Sequence, residues 1–129
     1  MRTPGRVLLA LSALCLAAGG VVHGMAYPKA AVVVDHSTLA AFFAAAFKGL
    51  WLCDSVNSLW LAIVLGAIAA WQQVAARTLV VILALGPVAN AVAIYATMGN
   101  FFAGHLMLLS GVLALLGGAL PRARHTSDM

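Results

Sequence analysis

The sequence predicts an all-α integral membrane protein, a four-helix bundle with up-down topology. Three observations predict it. Hydrophobic residues make up 64% of the 129 positions and charged residues only 8%, whereas a soluble domain is about half apolar and about a quarter charged. Mean hydropathy is +1.07, and the apolar residues gather into long runs, each near the ~20 residues a helix needs to cross the hydrocarbon. The basic residues stand at the ends of those runs, where they act as topology signals and not as a nucleic-acid-binding face. No stretch is left over for a soluble domain, so residues 1–129 are read as a single transmembrane domain.

The first span is expected over about 7–27. A cleaved signal peptide is the competing reading, since Arg2 and Arg6 precede the apolar core and Gly24 and Ala26 are small. The apolar run continues through Val21 and Val22, past the usual signal core, which favours a retained helix. Residues 28–38 read as a loop with Lys29, Asp35 and His36. Asp35, Ser37 and Thr38 are natural N-caps for a following helix. The second span is expected over about 50–71, because Trp51 and Trp71 are twenty residues apart, or about 30 Å along a helix, which matches the two aromatic belts of a bilayer. Residues of about 38–48 then form an interfacial helix or project above the span, with one long tilted helix as the alternative. The third span, about 78–98, holds Pro87 and Asn90. Gly99–Asn100 is a tight turn into the fourth span, about 101–120, which Pro121 stops.

Arg2, Arg6, Arg77, Arg122 and Arg124 fall on one side of this path. The positive-inside rule therefore places both termini in the cytoplasm. An Ala- and Arg-rich, Lys-poor composition points to a bacterial inner membrane.

Depth follows from counting up each helix at about 1.5 Å per residue. His23 comes out about 24 Å up, Asp54 about 25 Å, Asn57 about 21 Å, Asn90 about 20 Å, Tyr95 about 27 Å and His105 about 22 Å. Every span thus contributes a polar side chain to the outer third of a core about 30 Å thick. Asp54 is the most informative of them, since a carboxylate near mid-membrane costs about 2.5–3.5 kcal/mol even on insertion scales and normally faces protein or water. Trp51, Asp54, Asn57, Ser58 and Leu61 share one helix face. Lys48, six residues from Asp54, is on another face, which makes His23 or His105 the better cationic partner.

Asp54, His23, His105, Asn57, Asn90 and Tyr95 are accordingly the candidate ligand- or proton-binding residues. Three functions fit them. The layer is a pocket that binds or transports a small ligand or proton; or it is a helix clamp in a structural or accessory subunit; or His23 and His105 are axial ligands of a haem between the first and fourth helices. No cofactor is favoured. Cys15 and Cys53 lie in different spans with no CxxC or Cys/His cluster, so neither zinc nor a disulfide is indicated. No activated nucleophile, phosphate loop or dinucleotide fingerprint is present, which argues against an enzyme. Gly20 and Gly24 form a GxxxG, and Gly111, Gly117 and Gly118 add small residues to the fourth helix, suited to packing within the bundle or to dimerisation. The expected partners are the bilayer and a homo-oligomer or larger membrane complex, not nucleic acid. In size and span count the chain resembles small four-helix bacterial membrane proteins of the DoxX-like kind, with no motif that carries residue roles across.

Overall fold

The computed structural model describes residues 3–71 and 77–120. They form four helices, α1 (Thr3–Asp35), α2 (Ala41–Ala70), α3 (Arg77–Met98) and α4 (Phe102–Ala119), with no strand among the described residues. All four are long and apolar enough to cross a membrane. The fold is the all-α membrane bundle that the composition and run lengths predict.

Packing does not follow chain order. α1 lies along both α2 and α4, α3 lies along α4, and the consecutive helices α2 and α3 meet only slightly. The spatial order is therefore α2–α1–α4–α3. Small residues set this order by letting backbones approach, the main device for helix association where lipid is as apolar as the helix surface. On the α1–α2 seam, a Cβ added to Gly20 would lie 3.0 Å from the Leu59 side chain and 3.1 Å from the Ser55 carbonyl oxygen. The GxxxG is thus used inside the bundle. On the α1–α4 seam, a Cβ at Gly117 would lie 3.0 Å from both the Gly5 carbonyl oxygen and Leu9. On the α3–α4 seam Gly104, Gly111 and Gly118, seven residues apart, receive Tyr95, Val88 and Val80. Leu9, Leu16, Leu65 and Val80 are fully buried between these seams.

The half of the bundle nearer Arg6 holds a polar clamp. The Ser12 hydroxyl donates to the Ser110 carbonyl at 2.8 Å and lies 2.9 Å from the Ser110 hydroxyl, which donates to the Ser12 carbonyl at 3.2 Å. Both serines are 0% exposed. At the lower end, Arg6 Nε donates to the Ala69 carbonyl at 2.8 Å, satisfying a carbonyl at the negative end of α2. Arg6 therefore closes a helix end in addition to marking topology. Arg77 opens α3, whereas Arg2, Arg122 and Arg124, which the orientation argument also uses, lie outside the described residues.

Two boundaries differ from expectation. Residues 28–35, read as loop, continue α1 through Pro28. Proline removes one backbone donor and frees the carbonyl four residues back, here on Gly24, but a membrane helix tolerates it where neighbours pack against that turn. Ser55 of α2 does so, its side chain lying 3.7 Å from a Cβ built on Gly24. The polar group expected to start the second helix ends the first instead. The Ser37 hydroxyl donates to the Val34 carbonyl at 2.6 Å, and His36 Nδ1 bonds the Val32 carbonyl at 2.8 Å, which makes that nitrogen the donor. Second, residues 41–48 are not a separate interfacial helix. They are the opening turns of a continuous α2, the alternative arrangement, and Gly49 introduces no break. Lys48 Nζ pairs with Asp35 Oδ1 at 2.6 Å, tying the top of α2 to the end of α1.

α1 and α2 are consequently much longer than their partners. At about 1.5 Å per residue, the 33 residues of α1 rise about 50 Å and the 18 of α4 only about 27 Å. The upper α1–α2 hairpin stands beyond the Gly99–Phe101 turn.

Candidate polar site

His23 of α1 and Asp54 of α2 come together where the hairpin leaves the cover of α4. His23 Nε2 is 3.7 Å from Asp54 Oδ2. The imidazole is stacked on the Trp51 indole, with ring centroids 4.3 Å apart and planes 10° from parallel. Trp51 is itself held, since its indole N–H donates to the His23 backbone carbonyl at 2.9 Å. Ser55, buried one turn below, returns its hydroxyl to the Trp51 carbonyl at 3.2 Å. His23, Trp51 and Ser55 are thus each held by a neighbour on the facing helix or the preceding turn. The carboxylate is 43% exposed and the imidazole 31%, so the pair is reachable from outside the chain. Above it, Ala26, Ala30, Val33, Val34, Phe47 and Trp51 line an apolar groove of about 360 Å³, with Lys29 at its rim.

The remaining candidates lie elsewhere. Tyr95 and His105 form a second aromatic pair on the α3–α4 flank, edge to face with centroids 5.4 Å apart. His105 is exposed, and its Nδ1 bonds the Phe101 carbonyl at 3.1 Å. Asn90 is half-buried on α3 and Asn57 is exposed on α2. Each stands one turn above the point where Leu61 meets Gly86, yet neither makes a side-chain hydrogen bond among the described residues. The single polar layer is thus divided into a His23–Trp51–Asp54 cluster, a Tyr95–His105 pair and two separate amides. Because α1 and α4 present opposite flanks here, His23 turns to α2 and His105 to α3. Between α1 and α4, a Cβ on Gly19 would lie 3.0 Å from Leu106, so the helices pack closely just below the level at which a haem was expected. Among the described residues no group of three or more His, Cys, Asp or Glu side chains could hold a metal ion.

Sequence reasoning paired Asp54 with a histidine by depth, and placed Trp51 both at the membrane boundary and on the Asp54 face without assigning it a contact. The signal for its second role was its place on the Asp54 face, one turn above. Ser12 and Ser110 were legible only as stray polar residues; their position beside the small residues Ala13 and Gly111 is the mark of a close helix contact.

These helices and this site define a class, an integral membrane protein of four spans with an ionisable pair beneath a projecting hairpin. No family model matches the chain, and neither any curated protein nor any solved structure does.

Proposed function

We propose that this small membrane protein binds a proton reversibly at the outer mouth of its bundle, between His23 and Asp54. The observation that carries this reading is the imidazole held 3.7 Å from a partly exposed carboxylate and stacked on an indole. Histidine is the side chain whose ordinary titration falls in the physiological range. Proton uptake here turns a lone carboxylate into a neutral imidazolium–carboxylate pair, and release restores the negative charge at the membrane boundary. A structural clamp is a weaker account of this cluster, because close helix packing is already supplied by the glycine seams and by the fully buried Ser12–Ser110 pair. A half-exposed ion pair adds little stability.

Trp51 reports on the site directly, since a charged imidazole quenches a stacked indole. In a Trp60→Phe, Trp71→Phe background, emission is expected to fall as the pH is lowered and the imidazole gains its proton. His23→Gln should abolish the response while leaving the helical content unchanged. A response that survives His23→Gln, or none in the parent, refutes proton binding at this pair.

A further inference from the structure

The face of α2 turned away from α1 has its own pattern. Leu50, Cys53, Asn57, Trp60, Val64 and Ala67 recur at alternating three- and four-residue steps, the spacing of a helix–helix seam. α1 covers the opposite side, where Ser55, Ser58, Ala62, Leu65 and Ala69 are buried; Ile68, one turn below Val64, is buried as well. The upper part of this outward face is bare, with Leu50 70% and Trp60 62% exposed, whereas Val64 lower down packs partly buried against the core. In the middle of the bare part stands Asn57.

Asn57 is the anomaly. It lies about 20 Å above Ala70, within the hydrocarbon of a core about 30 Å thick. Its side chain is exposed and makes no hydrogen bond among the described residues. An amide left unpaired in hydrocarbon is costly because no water is there to replace its partners. Leu, Trp and Val beside it are at home against lipid, whereas the amide requires a polar group at the same depth. A carboxamide both donates and accepts, so it is complementary to itself. Membrane insertion fixes every copy at one height and in one direction, and a two-fold axis along the membrane normal sets each residue opposite its own copy. A single Asn in an apolar seam is also a known means of fixing register and partner number.

We propose that α2 is the interface of a parallel homodimer in which the two Asn57 amides hydrogen-bond across the two-fold axis. Cys53, one turn nearer the outer surface on the same seam, then faces its own copy. The exposed seam, the amide's depth and its lack of a hydrogen bond among the described residues carry this, independently of His23 and Asp54.

Cys53 makes the test direct. The full-length Cys15→Ser protein, in membranes and at high lipid-to-protein ratio, is treated with a mild thiol oxidant and run on a non-reducing gel. A covalent dimer is expected. In a Cys15→Ser, Cys53→Ser background, Leu50→Cys and Trp60→Cys should also cross-link. Leu52→Cys, turned away from that seam on α2, and Ile82→Cys on α3, both exposed, should not. Asn57→Leu should lower the dimer fraction by about threefold to tenfold, the effect of losing one hydrogen bond of this kind, and Asn57→Gln should restore part of it. Equal cross-linking at Leu52→Cys or Ile82→Cys and at Cys53 overturns the interface. So does a protein that stays monomeric, or that cross-links through Cys53 only to a different polypeptide. An unchanged dimer in Asn57→Leu overturns the amide pairing.

Discussion

Glycine positions show how finely the close approaches are set. A Cβ at Gly111 would stand 2.5 Å from Val88 Cγ2 and 3.2 Å from the Ala84 carbonyl oxygen. Val88 is β-branched and stiff at χ1, and the Ala84 contact is backbone, so neither yields cheaply. Gly111→Ala should therefore lower stability by about 1–3 kcal/mol, the usual cost of overpacking. Gly49 is the internal control, because nothing lies within 4 Å of its missing Cβ. Gly49→Ala should hold or raise stability by up to about 1 kcal/mol, since glycine in a helix interior is unfavourable relative to alanine. Thermal unfolding in one detergent compares the two directly, and equal shifts would show that the α3–α4 seam is looser than its distances indicate. Composition alone could not separate these two glycines. Abundant Gly and Ala mark helices able to pack closely, and only the neighbouring helix decides which position is filled.

At the scale of elements, α3 and α4 were legible almost to the residue, and α1 and α2 were not. α3 and α4 are bounded by Gly99, with φ +69°, and Asn100, a turn that no continuous helix accommodates. Pro28 and the Asp-His-Ser-Thr run were ambiguous. Proline lowers helix propensity but fits where a neighbouring helix packs, and Asp, Ser and Thr bond backbone groups at either end of a helix. Pairing was equally hidden, since a short connection suggests that neighbours in sequence are neighbours in space, yet α1 took α4 as its second partner. The Ser12–Ser110 clamp lies on that α1–α4 seam and tests it. Ser12→Ala and Ser110→Ala should each cost about 0.6–2 kcal/mol. The double variant should cost clearly less than the sum, because each hydroxyl bonds the other's hydroxyl or backbone carbonyl. Additive losses in thermal unfolding would mean that the two hydroxyls act separately.

For the molecule as a whole, the governing fact is unequal helix length on a shared lower end. Arg6 meets the end of α2, and Gly5 meets Gly117 of α4, so the excess length of α1 and α2 appears at the opposite end of the bundle. To lie entirely within a core about 30 Å thick, a helix about 50 Å long would have to tilt by more than 50°, beyond the range of about 0–40° seen for spans. The hairpin therefore extends past a core of that thickness, with Val33 72% and Phe42 75% exposed beneath a polar tip of His36, Ser37 and Thr38. Depth counting located His23 and Asp54 correctly relative to each other because it needed only the lower ends. It misjudged what lies above them, because a loop was expected where α1 continues. Single cysteines placed in a Cys15→Ser, Cys53→Ser background and treated with a membrane-impermeant maleimide test this geometry. Thr38→Cys and Asn100→Cys should both label from outside, and Val112→Cys, midway down α4, should not. Val33→Cys decides between the two arrangements of the hairpin: labelling there means that it stands clear of lipid, whereas protection at 33 with labelling at 38 means that it bends down into the interface.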